Sequence, residues 1–133
     1  MTARAGAAPN GDHDSAVRLR TRRDILQAAI GVWSRDFTAS LGDVAEHAGV
    51  SRSTLHRYYP ERQLLVEAAA GEAQAALERA AVRSTARATT AREELLGLLE
   101  AVVVEGDAVI FLYSDASRFA TLPGWGDQPD PDP

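Results

Sequence analysis

The sequence of 133 residues contains no cysteine. That excludes a disulfide framework and a thiolate zinc site. Its three histidines, at positions 13, 47 and 56, do not share the close helical spacing of a metal site, so no metal or cofactor is expected. No apolar run approaches the ~18 residues that a membrane-spanning helix needs. The first twenty residues lack the apolar centre of a secretory signal, so a cytoplasmic location is expected. There is also no glycine-rich phosphate loop and no nucleophile motif. Glu93, Glu94, Glu100 and Glu105 fall along one predicted helix and read as a solvated face. No enzyme is expected.

Basic charge is scarce overall and concentrated locally. The formal net charge is −5, which on its face disfavours nucleic acid. Residues 18 to 67 nevertheless hold eight Arg against six acids, a balance of +2, whereas residues 68 to 133 hold five Arg against eleven acids. Distribution matters more than the sum. One end of the chain is fitted to meet polyanions and the rest is not.

The basic end contains the stretch that organises the chain, residues 40 to 59. Ser40 suits an N-cap, with Asp43 three positions on to complete a capping box. Leu41, Val44, Ala45 and Ala48 then share one helical face. Gly49 supplies the left-handed turn that ends this helix. Ser51 caps a second helix, with Val50 and Leu55 placed to pack inward. Two short helices around a tight turn, with small alanines at the crossing, form the pattern of a helix-turn-helix. The plain alternative is an ordinary helical hairpin. Against it stand Arg52, Ser53, Thr54, His56, Arg57 and Tyr58, hydrogen-bond donors crowded on one short helix. Such a surface suits phosphates and base edges.

The run Thr54-Leu55-His56-Arg57-Tyr58-Tyr59-Pro60, after Ala48-Gly49-Val50-Ser51, resembles the tetracycline-repressor (TetR) family of transcriptional regulators. Arg22 to Ala29 resembles that family's first helix and Asp43-Val44-Ala45 its second, so the likeness covers residues 21 to 66. It implies an all-α fold: an N-terminal three-helix helix-turn-helix domain for DNA, then a partial helical ligand-binding domain. By the same likeness His56, Tyr58 and Arg62 are expected on phosphates, Arg52 on a base, Ser53 and Thr54 on bases or thymine methyl groups, and Arg57 on either. The implied partners are a palindromic double-stranded operator, a small-molecule effector and a second copy of the chain. Glu61 departs from the family, which often has a small capping residue there. Tyr59 stands at its usual Phe position and is expected to pack inward.

The remainder divides by composition. Residues 1 to 17 offer almost nothing to bury and are expected to be a disordered arm. Arg18, Arg20, Arg22 and Arg23 follow, either as a solvated flank or as a phosphate-contacting arm. The DNA-binding domain is placed at 18 to 64 and a partial sensor at 65 to 122. Apolar spacing predicts helices from about Thr21 to Ser34, Glu61 to Arg83, Ala91 to Glu105 and Ala108 to Phe119. Phe111, Tyr113 and Trp125 are candidate pocket residues, with plain core the alternative. Residues 123 to 133, acidic and proline-rich, are expected to be a disordered tail, and the short sensor suggests a fragment. The competing function is a helical protein-interaction module without specific DNA binding.

Overall fold

The computed structural model describes residues 8 to 114, with side chains from 13 onward. Six helices follow in order: α1 (Ala8–Arg35), α2 (Leu41–Ala48), α3 (Arg52–Tyr58), α4 (Arg62–Thr85), α5 (Ala91–Val104) and α6 (Gly106–Tyr113). The described residues contain no strand, as the all-α expectation requires.

Each short helix is bounded by the residues that the sequence offered. Ser40 accepts from the Asp43 amide at 3.1 Å, and the Asp43 carboxylate accepts from the Ser40 amide at 2.9 Å. Gly49 adopts φ 74°, ψ 28°, and its amide donates back to Ala45 and Glu46. Only glycine reaches that left-handed geometry without steric cost. Ser51 caps α3 by accepting from the Thr54 amide at 3.1 Å. At α5, Thr90 accepts from the Glu93 amide at 3.2 Å, and the Glu93 carboxylate accepts from the Thr89 amide and hydroxyl at 2.7 and 3.0 Å.

One core joins all these elements except α5. Ile25, Ala29 and Trp33 of α1, Val44 and Ala45 of α2, Leu55 of α3, Leu65 and Ala69 of α4, and Phe111 and Leu112 of α6 are buried in a single cluster. A fully buried side chain of this size is worth about 1.5–3 kcal/mol, so a few such residues fix the arrangement. Tyr59 is buried as expected, and desolvation pushes its phenol above the ordinary value while the Arg22 charge opposes this.

The disordered-arm expectation needs correction, and the candidate pocket residues take definite places. Helix α1 begins at Ala8, so residues 8 to 17 of the expected disordered arm are helical. Pro9 sits in the first turn, where its missing amide costs nothing, and a helix anchored by Ile25 and Trp33 extends without a new nucleation penalty. Phe111 is fully buried and stacks on Trp33 at 6.3 Å, the placement of the plain-core alternative. Tyr113 is 66% exposed. Trp125 and the tail at 123 to 133 lie outside the described residues, as does any continuation of α6 towards Phe119.

Helix α5 packs by its smallest residues. Gly97 and Ala101 are the buried positions, while Leu95, Leu96, Leu99 and Val103 face outward. An apolar face therefore exists on α5 but does not meet the core. A Cβ at Gly97 would lie 2.9 Å from the Ser84 carbonyl carbon of α4, and backbone yields less readily than a side chain. Gly97→Ala is expected to cost about 1–3 kcal/mol by overpacking, despite alanine's better helix propensity. Urea unfolding measures this, and an unchanged or raised midpoint would refute the close approach.

Two exposed carboxylates tie stability to pH. Asp36 is held below its ordinary 3.8 by hydrogen bonds from the Thr38 hydroxyl and then the Thr38 amide. Glu93 is held below its ordinary 4.5 by the Thr89 amide and then its hydroxyl. Groups with depressed folded values stabilise fully above their unfolded values, and that stabilisation is lost as pH falls through the folded ones. Asp36→Asn with Glu93→Gln is thus expected to narrow its stability deficit relative to the unaltered chain as pH drops below 4.5 and then 3.8. Thermal melts across that range check it; a deficit constant with pH would speak against it.

Candidate nucleic-acid interface

Helix α3 is short, and its turn is fixed from both ends. The Val50 amide donates to the Ala45 carbonyl at 3.0 Å across the Gly49 turn. Leu55 and Tyr59 then plug into the core. At 100° per residue, this anchoring turns Ser53 and Arg57 outward. Arg52 and His56 fall on the α2 flank, and Thr54 and Tyr58 on the α1 flank. Arg52, Ser53, His56 and Arg57 are exposed, whereas Thr54 and Tyr58 are half-buried. Helix α3 carries no carboxylate.

The two flanks of α3 are clefts. On the α2 side a cleft of about 660 Å³ is lined by residues that include Ser40, Gly42, Arg52, Ser53, His56 and Arg62. Arg52 lies across α2 here. A Cβ at Gly42 would come within 2.5 Å of its guanidinium, so the bare glycine is what lets Arg52 rest there. The signal for this contact was only a small residue in the first turn of α2, and sequence reasoning missed it. On the α1 side a second cleft, of about 530 Å³, lies between Arg18 and Arg22 of α1 and Thr54, Arg57 and Tyr58 of α3.

Side-chain hydrogen bonds order the outward face. The Ser51 hydroxyl donates to Thr54 Oγ1 at 2.9 Å, and Arg57 donates to the same oxygen at 3.4 Å. Arg22 lies over the Tyr58 ring at 5.9 Å.

Arg62 requires a correction. It was expected on phosphate, but its guanidinium turns into the protein. Nη1 donates to the Ala39 carbonyl at 2.7 Å and Nη2 to the Phe37 carbonyl. The same group lies over the rings of Trp33 at 4.7 Å and Phe37 at 5.2 Å. The loop between α1 and α2 presents two carbonyls without helical partners, and a planar cation satisfies both while covering the aromatic faces. Phe37 is thereby a structural residue of the α1–α2 loop. His47 is exposed. Among the described residues, no group of three or more His, Cys, Asp or Glu is placed to hold a metal ion.

Two capped helices around a left-handed glycine, with a donor-rich second helix held clear of the core, define a helix-turn-helix protein. Residues 25–69 match the family described as bacterial regulatory proteins, tetR family, and the chain carries the N-terminal domain of that family. The chain is 40% identical over 107 residues to the HTH-type transcriptional repressor LfrR of Mycolicibacterium smegmatis (strain ATCC 700084 / mc(2)155), across 80% of this chain and 57% of the repressor. Two crystal structures of the TetR-like transcriptional regulator LfrR from Mycobacterium smegmatis are similar in fold. The complex with proflavine gives a TM-score of 0.71 at 39% identity, covering 80% of this chain and 62% of that one. The second gives 0.61 at 42% identity, covering 71% and 54%. The chain thus spans little more than half the length of the curated repressor that it matches.

The position of Arg62 predicts a stability effect. Arg62→Ala leaves two carbonyls without their charged donor and is expected to destabilise the fold by about 1.5–3 kcal/mol. Arg62→Lys keeps the charge but not the planar fork, and is expected to recover only part of the loss. If the alanine variant unfolds at the same urea concentration as the unaltered chain, the clamp carries no weight.

Proposed function

We propose that the chain is a sequence-specific, DNA-binding transcriptional regulator of the repressor type. The observation that supports this most directly is α3. Its Arg52, Ser53, His56 and Arg57 are exposed, no acid shares the helix, and Leu55 and Tyr59 hold it fixed. A recognition helix touches base edges with its N-terminal residues. Arg52 stands first on α3 and is assigned to direct readout, where a guanidinium meets guanine O6 and N7 together. Ser53 and Thr54 read neighbouring bases, Arg57 reaches base or phosphate, and His56 and Tyr58 position the head on phosphates. Arg62 drops out of this set, since its role lies in the α1–α2 loop.

The reading extends to the whole protein. One short helix makes few base contacts, so specificity gains from two copies on a palindrome, with half-sites one helical turn, roughly 34–36 Å, apart. The relative's complex with proflavine supports a small-molecule effector received beyond the head. Helix α4, with 24 residues, would be about 36 Å long and would carry a tilt from sensor to head. An effector acts through this lever only in so far as it binds the two positions of α4 with different affinity. Such a regulator acts where the chromosome is, in the cytoplasm; no helix among the described residues is long and apolar enough to cross a membrane.

Selection from a random DNA pool tests the reading, and a palindromic motif is the expected product. On that motif Arg52→Ala is expected to cost about 1–3 kcal/mol and to relax the preference at one base position. Equal losses at every base would remove Arg52 from direct readout. Recovery of no motif at any salt concentration would instead favour the interaction-module alternative.

A further inference from the structure

We propose that Gly42 of α2 is a positioning residue for base readout: its missing Cβ sets where the Arg52 guanidinium stands, and so which base edge that guanidinium meets. The inference rests on the assignment of Arg52 to direct readout. It adds a residue of α2 that acts through Arg52 and touches no base itself.

The backbone at position 42 does not call for glycine. Among the described residues only Gly49 has a positive φ, so alanine would adopt the conformation of Gly42 without strain. A glycine inside a helix also costs stability relative to alanine, because it leaves the unfolded chain more freedom to lose. What this glycine provides is room. A Cβ built there would lie 2.5 Å from Arg52 Nη2, 2.6 Å from Nε and 2.8 Å from Cζ. All three belong to the guanidinium, so the body of that group, and not one outlying atom, occupies the place of the methyl.

Shape rather than pairing places Arg52. A long side chain on a helix leans towards the helix N-terminus. From the first position of α3 that lean carries Arg52 back across the turn to the first turn of α2, where Gly42 stands. Among the described residues no ion pair or hydrogen bond holds its guanidinium. The Asp43 carboxylate next to Gly42 is engaged by the Ser40 amide at 2.9 Å, and no carboxylate lines the cleft. The donors of Arg52 are thus left for a base edge. A methyl at position 42 would drive the nearest guanidinium atom from 2.5 Å to at least the 3.4 Å of ordinary contact, a retreat of about 0.9 Å. That costs the fold little, since the group displaced is the flexible end of an exposed side chain. Recognition is less tolerant. A bidentate pair with guanine needs both N–H groups aligned on O6 and N7, and such a constellation holds its geometry to within about 0.5 Å. Stability and specificity therefore part at this position.

The experiment uses the full chain, the selected operator and duplexes that carry each single base change. The variants are Gly42→Ala, Arg52→Ala, the two combined, and Gly71→Ala, an exposed helical glycine where an added Cβ meets nothing within 4 Å. Both glycine variants are expected to melt at or above the temperature of the unaltered chain. Gly42→Ala is expected to weaken operator binding by roughly tenfold, within the range for a lost bidentate base contact, and to relax the same base position that Arg52→Ala relaxes. The combined variant is expected to bind as Arg52→Ala does, because the two changes act through one contact. Gly71→Ala is expected to keep the original affinity and base profile. An unchanged base profile in Gly42→Ala overturns the positioning role and leaves the Arg52 assignment intact. So does a full further loss in the combined variant, which would mean that α2 meets DNA without Arg52. A marked fall in the melting temperature of Gly42→Ala overturns it too, since the methyl would then meet something other than a movable side chain. If Arg52→Ala relaxes no single position, the readout assignment fails, and this inference with it.

Discussion

The Arg62 guanidinium, laid over Trp33 and Phe37 and bonded to the carbonyls of Phe37 and Ala39, is the contact on which the rest depends. It ties the start of α4 to the loop that aims α2. Trp33 contributes from below by donating to the Ala39 carbonyl at 3.1 Å. Phe111 of α6 stacks on Trp33 with centroids 6.3 Å apart, nearly parallel at 18°. A charge placed here is not isolated: its hydrogens meet carbonyls and its face meets π-systems, so its partial desolvation is offset locally. Three junctions therefore share one node: α1 to α2, α3 to α4, and α6 to the head. Displacement of α6 cannot leave the loop before α2 untouched.

That node would give the proposed tilt of α4 a physical route to α3. Helix α4 starts four residues after Tyr58 ends α3, and Tyr59 between them is buried. The two helices are thus pinned at one point, with Leu65 and Leu55 in the same core cluster. Close-packed interiors transmit displacement rather than absorb it. The alanine-rich face of α4, with Ala69, Ala70 and Ala73 buried, brings backbones near enough for small movements to matter. At its other end α4 meets α5 through Gly97, where again backbone touches backbone.

Much of the head was legible in the sequence because its signals are local. Ser40 with Asp43, Gly49 and Ser51 each act within four residues, and all took the geometry their chemistry dictates. The burial of Val44, Ala45 and Leu55 followed from periodicity and capping, and that of Tyr59 from the family likeness. What escaped depends on contacts distant in sequence. Arg62 reaches 23 and 25 residues back for its carbonyls, and no spacing rule announces that. Phe111 meets Trp33 across most of the chain, so its aromatic character was equally compatible with a pocket. The start of α1 was misjudged for a different reason: residues 8 to 17 have little to bury, and burial was the criterion, whereas continuation of an existing helix needs no burial. For α5 the apolar pattern was seen but its direction was not. Small residues, rather than leucines, decide which side of that helix approaches α4.

Charge type and placement close the argument. The acidic balance of the whole chain and the basic balance of its head are not in conflict, since screening confines each to its own neighbourhood at about 8 Å under physiological salt. All 14 cationic side chains are arginine. Arginine stays charged when half-buried and presents a planar fork, whereas lysine offers a mobile point charge. The structure uses this one side chain in three ways. Arg62 is turned inward on carbonyls and rings, Arg22 is laid flat on Tyr58, and Arg52 rests over the bare backbone of Gly42. Arg62 and Arg22 each lie over an aromatic ring, which restricts them before any ligand arrives. Pre-set orientation reduces the entropy lost on binding. On the proposed DNA-binding reading, an arginine held as Arg22 is would meet a phosphate with less to rearrange than a lysine, an advantage for a short recognition helix with few base contacts.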